Sequence, residues 1–199
     1  MSAYTWPPDP SAAPRLTAGA ADPVASAVLV PLYRADGATR VVLTRRRSDL
    51  RRHAGEISFP GGRHDPGDAD LAETALREAE EEIGLPRSQA RLIGELPATS
   101  TFATNYVIHP FVATIPPGIA WELSPKEVDA VLELPLASVR SGRTITTLER
   151  RGITFQTDAY VVDEHLVWGA TARIIEHLLA RLSDDPEAPL ALPAGRTEH

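Results

Sequence analysis

The chain has no cysteine among its 199 residues and a single lysine, Lys126. The first absence excludes a disulfide framework, a thiolate metal site and a cysteine nucleophile, and it suits a reducing compartment such as the cytoplasm. No stretch approaches the roughly 18 apolar residues that would span a bilayer. The opening residues lack the basic segment and apolar run of a secretory signal. Positive charge is in deficit too: the net charge is −7 and the pI near 5.4, which argues against nucleic acid or an anionic membrane as a partner. What is present is ordinary globular composition, 43% hydrophobic and 24% charged, at a length that fits one domain with a real core.

Residues 1–23 are rich in proline and alanine without periodicity and read as an extended arm, and residues 183–199 read as a flexible tail. Between them, residues 24–182 form one expected domain. Val24 to Tyr33 is an apolar run of strand length, and Thr39 to Arg46 reads as its hairpin partner across "RADGA". "GEISFPGG" supplies a short strand ending at Pro60. Further strands are expected at 91–96, 106–115 and 154–162, and a short helix at "PLASVRSG". Helices are expected at 70–83 and 169–182. The first opens on an Asp70-x-x-Glu73 capping pattern, carries Leu71, Ala72, Ala75, Leu76, Ala79 and Ile83 at helical spacing, and stops at Gly84. The fold class expected is α/β: a mixed central sheet covered by helices in an α/β/α sandwich.

On that first helix, "ALREAEEEIGL" crowds like charges that repel at i,i+4. Glu78, Glu81 and Glu82 share i,i+3 and i,i+4 spacings, and the expectation is that they converge opposite the apolar stripe, while Glu80 points to solvent. A hard divalent cation, Mg2+ or Mn2+, reverses that energetic cost, and Mg2+ is usually held by a few carboxylates with substrate phosphates. Arg77, four residues before Glu81, is placed to orient it. "FPGG" (Phe59 to Gly62) is a turn in which missing β-carbons let backbone approach a ligand closely.

The segment from Gly61 to Leu85 resembles the Nudix hydrolase box, with Gly62, Arg77, Glu78, Glu81, Glu82, Gly84 and Leu85 at matching positions. It departs at the first acid, where Asp68 replaces glutamate and eight residues instead of seven precede Arg77, so Asp68 is not assigned as a ligand. "LTRRRSDLRRHAGEISFPGG" further resembles the signature of the coenzyme A diphosphatase branch, through Leu43, Thr44, Arg45, Arg52, Gly55 and Phe59 to Gly62. The likeness extends over roughly residues 24–182, including "VIHPFVATI", "SPKEVDAVLELPL" and "WGATARII".

The resemblance implies a Nudix-type fold and metal-dependent hydrolysis of the pyrophosphate of coenzyme A or acyl-coenzyme A to 4′-phosphopantetheine and adenosine 3′,5′-bisphosphate. It implies metal held by Glu78, Glu81 and Glu82, and catalytic roles for Glu81, Arg77 and Glu127. Glu81 is the first choice of general base and Glu127, in "SPKEVDAV", the second. Substrate contacts are expected at Arg45, Arg52, Gly61 and Gly62; five arginines and a histidine within nine residues suit bidentate phosphate recognition. Other substrates stay open (ADP-ribose, NADH, a dNTP), as does a non-catalytic nucleotide-sensing module, because the box reads the phosphoanhydride alone. A homodimer is also left open. His109 is expected to be packed or hydrogen-bonded in a strand, and Trp168 to anchor the last helix.

Overall fold

The computed structural model describes residues 23–49, 55–101, 105–150 and 152–182. The arm up to residue 22, the tail from residue 183 and Arg52 lie outside the described residues.

β1 (Val24–Ala35) and β2 (Ala38–Arg46) form a hairpin closed by Asp36 and Gly37, both at positive φ (52° and 74°). That geometry matches the right-handed twist of the strands, and Asp-Gly is the pair that adopts it most readily. β1 runs parallel to β7 (Tyr106–Thr114), from Val24 opposite Tyr106 to Leu32 opposite Thr114, and every other described pairing is antiparallel. Among the described residues the main sheet has eight strands, and β3 (Ile57–Ser58), β2, β1, β7 and β5 (Arg91–Glu95) follow one another across it. β3 lies on β2, and β5 and β6 (Thr99–Ser100) on β7. β8 (Val128–Pro135) occupies the other part of β2.

The glycine turn differs from the expectation. β4 (Gly61–Arg63) is itself a short strand, pairing Gly61 with Val28 and Gly62 with Ala27. A β-carbon on Gly61 would overlap the carbonyl of Ala27 and the backbone of Val28, so the approach of β4 to β1 requires glycine.

Alternation along the central strands sorts side chains into two cores. Ala27, Leu29, Tyr33 and Val42 face α1 (Leu71–Ile83), where they pack with Ala75, Ala79, Ile83 and Leu85. Val30, Leu32, Val41 and Leu43 face the other way. There they meet α2 (Leu136–Ser141), α3 (Gly169–Arg181) and a second, three-stranded sheet of β9 (Arg143–Arg150), β10 (Ile153–Val162) and β11 (His165–Trp168). Helix, main sheet and a mixed helix-and-sheet layer thus give the expected α/β class. β8, β9 and β11 were not foreseen. Residues 125–127 form a turn leading into β8, with the Glu127 and Val128 N–H groups both donating to the Ser124 carbonyl.

α1 begins and ends as its sequence requires. The Asp70 carboxylate accepts from the Glu73 N–H at 2.8 Å, and Glu73 accepts from Ala69 N–H at 2.7 Å. Such a cap is worth about 1 kcal/mol. Gly84 closes the helix at φ 68°. The strand-like segment 119–124 then crosses the helix end, burying Ile119, Trp121 and Leu123 against it. Its Glu122 and Ser124 N–H groups donate to the Ile83 and Glu82 carbonyls at 3.1 and 2.9 Å. These bonds satisfy carbonyls that the helix end leaves open and fix the loop that carries Glu127.

Candidate active site

The acidic residues lie where β4, the C-terminal half of α1, the end of β2 and the loop before β8 meet. Glu82 is 5% exposed, within the buried side of the helix among Ala75, Ala79 and Ile83. Glu82 therefore sits not opposite the apolar stripe, as expected of it, but on the buried side of the helix. Glu82 lies seven positions after Ala75, almost two full turns, so the carboxylate enters the interior beside the sheet. Its Oε2 accepts from the Gly61 N–H at 3.2 Å, and its Oε1 is 3.9 Å from Nη1 of Arg46. Burial pushes its pKa up to about 8, with Glu78 and Glu127 adding to the rise and the Gly61 N–H and Arg46 opposing it.

Glu78 lies one turn earlier with its side chain 17% exposed. A β-carbon on Gly62 would overlap its carboxylate, so the second glycine makes the room in which Glu78 sits. Burial raises its pKa as well, Arg77 lowers it, and Glu81 and Glu127 raise it further. Glu127 thus lies within electrostatic reach of both Glu78 and Glu82. Glu81 is 60% exposed.

Arg77 joins these groups. Nη1 lies 3.0 Å from Glu78 Oε1 and 3.2 Å from Glu81 Oε2, and Nη2 donates to the Arg63 carbonyl at 3.2 Å. The other side of the guanidinium is held by Asp68, from Nε at 2.8 Å and Nη2 at 3.1 Å. The Asp68 carboxylate, 4% exposed, also accepts from Thr74 Oγ1 at 2.8 Å and the Asp65 N–H at 3.1 Å. These bonds, chiefly those from Arg77, hold its pKa below the usual carboxylate range, and the Arg77 pKa is raised in return. The lengthened loop therefore still delivers a carboxylate to Arg77. Sequence reasoning passed over this role, although the Asp68–Arg77 spacing was its available signal.

β2 sends neighbouring arginines to opposite faces. Arg46 lies on the α1 side, beside Glu82, and its Nε is buried with no hydrogen-bond partner among the described residues. Arg45 lies on the other side, bonded to Asp129 at 2.8 and 3.0 Å, and lines a cavity of about 490 Å³ with Leu148, His165 and Trp168. Among the two, Arg46 is the neighbour of the acids, a residue that the motif reading missed. Gly61 and Gly62 lie directly against Glu82 and Glu78 as described. Glu80 bonds Arg87 at 2.8 Å, away from the cluster. His64 bonds Thr74 Oγ1 at 2.9 Å, and His109 bonds Glu95 at 3.1 Å. Trp168 precedes α3 and packs on Phe155 with ring centroids 6.3 Å apart.

Among the described residues, no three acids are gathered closely enough to enclose a cation as placed; Arg77 instead meets the charge of Glu78 and Glu81. The donor chemistry nonetheless fits a hard divalent ion: oxygen ligands only, one of them buried, and a cleft that a β-carbon at position 62 would fill.

The family model described as the NUDIX domain matches residues 23–151. The protein named Uncharacterized Nudix hydrolase NudL from Photorhabdus laumondii is 39% identical over 155 residues, covering 77% of this chain and 82% of that one. A protein of the same name from Escherichia coli O1:K1 is 39% identical over 163 residues, covering 81% and 84%. Among solved structures, an Ap4A hydrolase binary complex of C. elegans superposes with a TM-score of 0.55 at 16% identity, covering 81% of this chain and 98% of that one. A MutT/nudix family protein from Enterococcus faecalis gives 0.57 at 14% identity, covering 89% and 71%. At such identities the structural matches speak for the fold alone, while the family model and the relatives speak for descent. The chain belongs to the Nudix hydrolase family, whose members use a divalent metal ion to cleave phosphoanhydride bonds in small nucleoside diphosphate derivatives.

Proposed function

We propose that the chain hydrolyses the pyrophosphate linkage of coenzyme A or an acyl-coenzyme A, releasing 4′-phosphopantetheine and adenosine 3′,5′-bisphosphate, with Mg2+ or Mn2+ held by Glu78, Glu81 and Glu82. The observation that carries this reading is the meeting of the arginine-rich end of β2 with the acids of α1, seen in Arg46 beside Glu82. A substrate with a pyrophosphate and a further phosphate calls for arginine next to an acidic, metal-attracting cleft.

The bound cation would neutralise charge developing on the phosphoanhydride and lower the pKa of a water in its coordination sphere. Glu82 is fixed by the Gly61 N–H and Glu78 by the space at Gly62. Arg77, clamped by Asp68, sets Glu81, the first choice to take the proton of the attacking water. Glu127 is the second choice, since its loop brings it within electrostatic reach of Glu78 and Glu82. Arg46 is assigned to the phosphates beside the acids, and Arg45 and Arg52 keep the substrate contacts expected from the sequence.

The test is a substrate panel of coenzyme A, ADP-ribose, NADH and dNTPs with Mg2+ and with Mn2+. Coenzyme A turned over with the highest kcat/KM, and cleaved to the two monophosphates named, is the expected result. A clear preference for ADP-ribose, NADH or a dNTP would overturn the assignment and leave the family membership untouched.

A further inference from the structure

Among the described residues, the smaller sheet leaves one long strand exposed on an outer side. β9 (Arg143–Arg150) pairs with β10 and, among the described residues, forms the edge of that sheet. It contains no proline and no lysine, and its ladder with β10 runs without a register shift. Proline and bulges are two devices that keep the open row of N–H and C=O groups of an edge strand from templating another strand; β9 has neither and carries charge only at its ends, in Arg143, Glu149 and Arg150. Side chains alternate strictly: Arg143, Ile145, Thr147 and Glu149 are exposed, while Thr144, Thr146 and Leu148 are half-buried. Ile145 is 69% exposed, and Ile153 and Val161 of β10 are exposed as well.

Parity restricts what this edge can pair with. Only residues 151 and 152 separate the paired Arg150 and Ile153, so that pair is a hydrogen-bonded one, as in two-residue hairpins. Arg150, Leu148, Thr146 and Thr144 then direct their backbone groups to β10, and Glu149, Thr147, Ile145 and Arg143 direct theirs outward. A second copy of β9 in antiparallel orientation must match outward residues with outward residues. Centring the pair on Thr146 does so over the span from Arg143 to Glu149. It sets Arg143 opposite the partner's Glu149 and Ile145 opposite the partner's Thr147, twice, by symmetry. A one-residue slip is forbidden because it opposes outward with inward groups.

We propose that β9 is a homodimer interface, with two copies joined antiparallel about a two-fold axis at Thr146 into one continuous six-stranded sheet. The contact is self-complementary, as an isologous interface requires. Opposite charges meet at both ends and the β-branched residues Thr144, Ile145, Thr146 and Thr147 fill the middle. Arg143 already lies 2.9 Å from Glu176 and 3.6 Å from Asp158, both through Nη2. A guanidinium has five N–H donors, so a third carboxylate can be served. The inference does not depend on the identity of the substrate.

The experiment measures the mass in solution by light scattering and sedimentation, over a protein concentration series. The wild-type chain is expected to be a dimer. Glu149→Arg, which places arginine opposite arginine, is expected to weaken dimerisation by about tenfold or more. The double variant Arg143→Glu/Glu149→Arg is expected to restore it. Thr147→Pro removes an outward N–H while sparing the ladder with β10, and is expected to give a folded monomer. Should that variant not fold, the charge reversal and its rescue decide the matter alone. A wild-type monomer throughout the series would overturn the proposal, as would a dimer indifferent to Glu149→Arg, or a double variant that remains as weak as the single one.

Discussion

Asp68 grips Arg77 with both carboxylate oxygens, at 2.8 Å to Nε and 3.1 Å to Nη2, and so aims the opposite edge of the guanidinium at Glu78 and Glu81. A planar fork held on one side is fixed in orientation, which a lysine at the same position could not be.

Asp68→Asn is expected to lower kcat by roughly 10- to 100-fold with a smaller effect on KM, the range typical of groups that orient a ligand residue. Arg77→Lys should not match wild-type turnover. Steady-state kinetics on the substrate found in the panel check both. The stability effect has a definite sign. Arg77 and Thr74 lower the folded-state pKa of Asp68, so its contribution is full above the ordinary aspartate value, about 4, and fades as pH falls through the lowered one. The Tm gap between wild type and Asp68→Asn should therefore be widest at neutral pH and shrink in acid.

Glu82→Gln separates stability from activity. The unfolded chain releases the Glu82 proton near pH 4.5, while the folded chain retains it up to about 8. Between these values folding loses stability as pH rises, and above 8 the penalty is complete. Glutamine does not ionise. The variant should match wild type in acid and exceed it in Tm at pH 8 without added metal. Its turnover should fall by orders of magnitude. Equal Tm values at pH 8 would contradict the buried placement of the carboxylate.

The two glycines of β4 make different demands. Gly61→Ala drives a β-carbon into the backbone of β1 and is expected to cost about 1–3 kcal/mol of stability. Gly62→Ala meets only the Glu78 carboxylate at the end of a flexible side chain. It should leave Tm nearly unchanged and reduce kcat by about 100-fold, since a misplaced reacting group costs that much. Thermal melts set beside kinetics distinguish the pair.

Neighbouring arginines give a further contrast. Arg46→Ala should raise KM by about tenfold or more for a phosphate-rich substrate, whereas Arg45→Ala, bonded to Asp129 on the far face, should change it less. Comparable effects from both would contradict the division of β2 into two faces.

The most legible part of the chain was α1, whose cap at Asp70, apolar repeat and Gly84 stop are local signals that tertiary contacts did not override. β1, β2, β7 and α3 were legible for the same reason, being long and strongly patterned. β9 was not, because "RTITTLER" carries polar threonines on both faces and shows no hydrophobic alternation. β8 was not legible either, because Val131 interrupts the alternation of Val128, Ala130, Leu132 and Leu134 with the acids Asp129 and Glu133. In the site, the residue types were legible and their depth was not. Glu82 shares a face with Ala75 and Ala79 by simple helical arithmetic, yet its identity as an acid suggested exposure. Which of Arg45 and Arg46 faces the acids depended on which side of β2 α1 would occupy, and no local pattern encodes that.

The central claim is that crowded carboxylates on α1 exist to hold a divalent ion against a pyrophosphate. Calorimetric titration of Mg2+ or Mn2+ into the chain, with a non-hydrolysable pyrophosphate-bearing nucleotide present, tests it most directly. Uptake in wild type that is lost or strongly weakened in Glu82→Gln is the result predicted here; no uptake at millimolar metal, or equal uptake by both proteins, would contradict it.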